Sequence, residues 1–216
     1  MDFDLARRHM VDSQLLPNRV TDERIIGAMA RLPREVFVPA EFQGIAYVDE
    51  AVALDGGRFL MKPMVMGRLI QEALPQASDL ALVVGCNTGY GAAIISHTVS
   101  TVVAVESDAG LAAKASETLT SLGIDTVAVI QGDLKKGCPE QAPYDVIFID
   151  GAVAEIPDAI SRQLADGGRL VAVVSKDGIG KAMLTKRHGD EIFSLELFNA
   201  STPYLAGFEP QKAFVF

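Results

Sequence analysis

The sequence predicts an α/β fold: a doubly wound, mainly parallel sheet of seven strands preceded by an N-terminal helical segment. Three observations carry that expectation. Apolar runs such as Leu80-Ala81-Leu82-Val83-Val84 and Thr101-Val102-Val103-Ala104-Val105 recur from Leu80 onward, with helical patterns between most of the first five. Runs that are apolar throughout belong to strands buried on both faces, as in parallel sheets covered by helices. A glycine-rich turn, Gly85-Cys86-Asn87-Thr88-Gly89-Tyr90-Gly91, joins the first strand to a helix, and the next strand ends in a carboxylate, Glu106. Finally, 216 residues at 49% hydrophobic suffice to bury the core of one α/β unit without staples.

The elements follow in order. Apolar residues recur at helical spacing from Phe3 to Gln14 and from Thr21 to Leu32, where Thr21 or Asp22 offers a cap. Pro33 and Pro39 end that stretch, and Phe42 to Lys62 reads as irregular, broken by Gly44, Gly56 and Gly57. A helix is expected from Met64 to Leu74, stopped by Pro75. Strands are expected at Leu80–Val84, Thr101–Val105, Thr126–Ile130, Val146–Ile149, Arg169–Val174, Glu191–Leu197 and Lys212–Phe216. Residues 1–75 thus form a helical and loop segment, and residues 76–216 the sheet-bearing core, of one compact domain.

Composition narrows the function. A net charge of −9 argues against a broad phosphate-binding surface, so no nucleic-acid partner is expected. No apolar run reaches the roughly 20 residues of a membrane span, and the start lacks a secretory pattern. Two cysteines, Cys86 and Cys138, form neither a disulfide framework nor a Cys-x-x-Cys pair. A cytoplasmic protein is expected. The three histidines, His9, His97 and His188, have no metal-ligand spacing, and no metal is expected.

Doubly wound sheets bind ligands at the carboxyl ends of their strands, near the point where strand order reverses. There, Gly85 permits a tight turn, Gly89 lets a helix begin close to a ligand, and Glu106 has two oxygens to accept from ribose hydroxyls. The same residues also fit an ordinary strand-to-helix turn with a solvated glutamate. Asp133 is placed to accept from the exocyclic amine of a purine, with the Leu134 amide on a ring nitrogen, or simply forms a turn after Gly132. Asp150, before Gly151, suits a substrate-orienting carboxylate, a metal ligand or a turn.

Nearly the whole chain resembles the protein-L-isoaspartate O-methyltransferases, within the S-adenosylmethionine-dependent methyltransferases and their Rossmann-like sheet. The most specific matches precede the glycine turn: Met10-Val11-Asp12-Ser13-Gln14-Leu15, Thr21-Asp22-Glu23-Arg24-Ile25-Ile26-Gly27-Ala28-Met29, Leu32-Pro33-Arg34-Glu35-Val36-Phe37-Val38-Pro39 and Ala46-Tyr47-Val48-Asp49. Ala142-Pro143-Tyr144-Asp145 and the run from Gln163 to Val171 extend the match. The resemblance implies S-adenosylmethionine as cofactor. Gly85, Asn87, Gly89, Glu106, Asp133 and Leu134 would surround it, Glu106 on the ribose and Asp133 near the adenine. It also implies methylation of isoaspartyl carboxylates in damaged proteins, and it leaves the oligomeric state open.

Two departures stand out. Where the family's substrate segment reads Gly-x-Thr-Ile-Ser-Gln-Pro, this chain has Gly57-Arg58-Phe59-Leu60-Met61-Lys62-Pro63. Phe59, Met61 and Lys62 replace the substrate-contacting Thr, Ser and Gln, which implies weak or absent isoaspartyl transfer, a more apolar substrate, or a packed lid. In the cofactor motif, Val83 stands at the usual acidic position and Asn87 at the middle glycine. The readings that compete are an altered or inactive member acting as a binding protein and a small-molecule O-methyltransferase.

Overall fold

The structure, a computed structural model, describes residues 1–210. Helix α1, Phe3–Met10, is capped by Asp2, whose carboxylate accepts from the Leu5 amide at 2.9 Å. The chain continues through a wider π turn, Val11–Leu15, and reverses at Arg19 in the left-handed conformation. Asp22 caps helix α2, Glu23–Arg31, accepting from the Arg24 amide at 2.9 Å, and the helix buries Ile25, Ala28 and Met29. Asp22→Ala removes that acceptor and is expected to cost about 1 kcal/mol, read as a lowered melting temperature.

The segment expected to be irregular contains a small antiparallel pair, β1 (Val52–Ala53) and β2 (Phe59–Leu60), around a turn at Gly56 and Gly57. Helix α3, Pro63–Glu72, then starts on a proline, which lacks the amide hydrogen that a first helical turn leaves unused anyway.

The central sheet comprises β3 (Leu80–Val84), β4 (Thr101–Glu106), β5 (Val127–Gln131), β6 (Tyr144–Val153), β7 (Leu164–Lys176), β8 (Ile179–His188) and β9 (Glu191–Asn199). Their spatial order is β5-β4-β3-β6-β7-β8-β9. The first five are parallel, and β8 runs antiparallel to both its neighbours. Helix α4 (Tyr90–Ser96) links β3 to β4, α5 (Ala109–Ser121) links β4 to β5, and the short α6 (Asp158–Ser161) precedes β7. Alternate residues of one strand feed two apolar layers: Ala81 and Val83 pack on the side of the N-terminal helices, Leu82 and Val84 on the other.

A seven-stranded sheet is present, but its membership differs from the expected list. Strand β8 was not among the expected strands, and Lys212–Phe216, expected as one, lies outside the described residues. Strand β6 is longer than expected because a bulge between Phe148 and Ala152 lets it resume pairing with β7. Among the described residues, no helix is long and apolar enough to cross a membrane. Strand order reverses between β3 and β6, so their carboxyl ends define the crevice where such sheets bind ligands.

Candidate functional site

The turn after β3 folds back onto the end of β4. The Gly85 and Cys86 amides donate to the Val105 carbonyl at 2.9 and 3.1 Å, and the Gly89 amide donates to the Cys86 carbonyl at 2.8 Å. Gly85 has a φ of 74° and Asn87 one of 53°, the left-handed region that asparagine tolerates better than most side chains. Glu106 lies under this turn, fully buried. One of its oxygens accepts from the Asn87 amide at 3.0 Å, and the other from the Ser107 and Asp108 amides at 2.8 and 3.0 Å. The fold therefore brings Gly85, Asn87, Gly89 and Glu106 together.

Of the other expected site residues, Phe59 lines a small cavity with Asn87, and Gly132, next to Asp133, donates its amide to the Glu106 carbonyl at 2.9 Å. Asp133 sits just past β5, exposed, its carboxylate accepting from the Lys135 amide at 3.0 Å within its own turn. Leu134 is buried in the apolar layer of Leu82 and Val84. Of the substrate segment, Met61 is fully buried in the opposite layer, while Phe59 is 37% exposed. Lys62 is half-buried at the cap position of α3.

Sequence reasoning did not single out three of the residues that shape the site. Arg58 places its guanidinium on Glu106, Nη2 to Oε1 at 2.5 Å, and also donates to Ser107 Oγ at 2.8 Å. Arg34, fully buried, donates from Nε to the Ala46 carbonyl at 2.6 Å and from Nη2 to the Met61 carbonyl at 2.8 Å, and lies 4.8 Å over the Tyr90 ring. Leu205, from the segment after β9, packs on Gly85 so tightly that a Cβ there would meet Leu205 Cδ1 at 2.5 Å. Arg34 and Arg58 both lie within family-like words of the sequence, but at positions to which those words assign no role. The contacts of Arg58 and Leu205 are tertiary, with no local signature.

Asp150, at the β6 bulge, is buried with neither carboxylate oxygen bonded. Gly91 makes room for it, since a Cβ at that position would lie 2.8 Å from Asp150 Oδ2. Burial raises its pKa to about 7; the Arg34 guanidinium and Asn87 pull it down, and Glu106 pushes it up. Burial likewise lowers the Arg34 pKa and raises those of Tyr90 and Cys86, so Cys86 is a packed thiol and not a reactive thiolate. Among the described residues, no group of three or more His, Cys, Asp or Glu side chains is arranged to hold a metal ion.

The polar groups suit a nucleoside: a buried carboxylate at a strand end beneath a glycine turn, and unpaired acceptors on Asp150 and Asn87. The room is absent in this conformation. Arg58, Phe59, Asn87, Asp150, Gly151 and residues 202–205 enclose a cavity of only about 10 Å³, enough for one water. A separate groove of about 590 Å³ is lined by Val38, Pro39, Leu54, Thr88, Asp108 and Leu111, among others.

Comparison with known proteins agrees with this architecture. A sequence model described as protein-L-isoaspartate(D-aspartate) O-methyltransferase matches residues 6–203. The chain is 40% identical to a protein-L-isoaspartate O-methyltransferase of Koribacter versatilis over 172 residues, 80% of this chain and 78% of the relative. It is 35% identical to that of Methylorubrum populi over 206 residues, covering 94% and 97%. A solved protein-L-isoaspartate O-methyltransferase superposes with a TM-score of 0.81 at 26% identity over 93% of this chain and 66% of that longer one. A Plasmodium falciparum structure, described as such a methyltransferase in complex with S-adenosyl-L-homocysteine, shares the fold, with a TM-score of 0.75 at 17% identity over 95% and 98%. The residues match from the first helix to beyond the last strand, and the crevice lies where this fold builds its site: the chain belongs to the protein-L-isoaspartate O-methyltransferase family.

Proposed function

We propose that the chain is an S-adenosylmethionine-dependent O-methyltransferase whose acceptor is the isoaspartyl carboxylate of damaged proteins. The observation that supports this reading is the fully buried Glu106 beneath the β3 turn, at the switch point of a chain from this family. Bound there, the cofactor supplies an electrophilic methyl group. The chain's own residues have little chemistry left to do, because a carboxylate with an ordinary pKa near 4 is already ionised at neutral pH and needs no general base. Their work is placement and exclusion of water. Glu106, held by three backbone amides, accepts from ribose hydroxyls; Asp133 and Leu134 stand at the next strand end for the adenine; and the groove beside Thr88 and Asp108 takes the peptide.

Phe59, Met61 and Lys62 make this a modified acceptor site. Met61 faces the core and offers nothing to a substrate, so recognition falls to Phe59 and Lys62. The test is a calorimetric titration with S-adenosylmethionine followed by methyl transfer to isoaspartyl and ordinary aspartyl peptides. Transfer to the isoaspartyl peptide alone is the expected result; binding with transfer to neither would remove the enzymatic reading. In the same titration Glu106→Gln, which trades a charged acceptor for a neutral one, is expected to weaken binding by about 1 kcal/mol or more.

A further inference from the structure

We propose that Arg58 and the segment Pro203–Phe208 form an autoinhibitory latch that fills the cofactor site, and that the ligand's ammonium group, on displacing it, takes Asp150 and Asn87 as acceptors. The inference rests on the cofactor reading above and adds to it which groups must move and which receive the ligand.

The latch has two arms. One is backbone: residues 203–208 lie along the end of β6, the Ala152 amide donating to the Pro203 carbonyl at 2.9 Å, the Leu205 amide to the Ala152 carbonyl at 2.8 Å and the Ala154 amide to the Phe208 carbonyl at 2.9 Å. This short parallel addition seats Leu205 on Gly85 and Gly151, against the turn that a ligand must approach. The other arm is electrostatic. Arg58 covers the Glu106 oxygen that also accepts from the Ser107 and Asp108 amides, and both side chains of the pair are buried. Gly56 and Gly57, both at positive φ, precede Arg58, so the arm hangs from a turn whose backbone has alternatives.

What lies under the latch is not satisfied by it. Asp150 Oδ1 and Oδ2, Asn87 Oδ1 and Arg58 Nε are buried without a hydrogen-bond partner among the described residues. A permanent plug would be expected to pair such groups, because leaving them unmade is costly. With Asp150 ionised, the orphans on Asp150 and Asn87 are all acceptors, and they face a small cavity bounded by Leu205 and Arg58. A group with several N–H donors and a positive charge is their complement. Val83, fully buried and apolar, offers no acceptor at the position where the family carries an acid. Asp150 takes over that task from the neighbouring strand.

The experiment titrates the full chain with S-adenosylhomocysteine, which carries the ammonium, and follows amide hydrogen exchange in parallel. Arg58→Gln and Leu205→Ala, checked for native near-ultraviolet circular dichroism, are each expected to bind at least tenfold tighter than wild type, and the pair tighter still. Asp150→Asn in the Leu205→Ala background is expected to lose at least tenfold. In the wild type, ligand is expected to speed exchange at the Ala152 and Leu205 amides, a readout independent of whether the variants fold. Ligand binding to wild type with those amides unchanged or better protected, or folded variants that bind no tighter, would overturn the latch and leave the cofactor reading standing. No binding by wild type or any variant at millimolar ligand would overturn both.

Discussion

The substitution Asp150→Asn is expected to stabilise the protein by up to about 4 kcal/mol at pH 8 and by less than half as much at pH 5. Burial holds the Asp150 carboxyl protonated to about pH 7, whereas in the unfolded chain it ionises with an ordinary aspartate pKa. Below about pH 4 both states carry the proton. Between there and pH 7 the folded state keeps a proton that the unfolded state sheds, so stability falls as pH rises; above pH 7 the loss is complete and constant. The full loss is about 4 kcal/mol, and a carboxamide never titrates, so Asp150→Asn escapes it. Chemical denaturation at the two pH values measures this directly. Equal effects at pH 5 and pH 8 would mean that Arg34 pairs the carboxylate well enough to keep it ionised.

The second large effect concerns the substrate segment. Met61→Ser is expected to cost about 2–5 kcal/mol, because it empties a fully buried site in the layer that joins the N-terminal helices to the sheet. Phe59→Thr, at a position 37% exposed, is expected to cost about 1 kcal/mol or less. Thermal melts of the two single variants separate these outcomes, and similar costs would mean that Phe59 anchors the segment as firmly as Met61 does. Restoring all three family residues at once would therefore confound catalysis with unfolding. Phe59→Thr with Lys62→Gln is the pair with which to seek a gain in isoaspartyl transfer.

Why some features were readable and others not is itself physical. The strands β3, β4, β6 and β7 announce themselves because a parallel strand buried on both faces must be apolar throughout, β5 by its β-branched run although it is a partly exposed edge, and the β3 turn because its backbone needs glycine. Strand β8 escaped because Lys181, Lys186 and Arg187 interrupt its apolar residues, as befits a strand with a partly solvated face. Its signal was present nevertheless, in the Asp177-Gly178 turn, both residues at positive φ, the usual chemistry of a tight hairpin. The latch could not be read, since Leu205 meets Gly85 and Arg58 meets Glu106 only through tertiary structure. Asp150 was visible as an acid before a glycine, but its isolation from partners depends on what surrounds it in three dimensions.

The antiparallel end of the sheet has a consequence for how the chain reaches this structure. Residues 176 and 179, and then 188 and 191, pair across turns of two residues, so β7, β8 and β9 can meet as a local meander. By contrast, Ala81 must find Val146 before β3 and β6 can pair, with the whole of α4, β4, α5 and β5 looped between them. Closing a long loop is entropically slower than closing a short one. The meander is therefore expected to acquire amide protection first in pulse-labelled refolding. The crevice at β3 and β6 then assembles last, leaving the carboxyl ends of those strands bare until the final step.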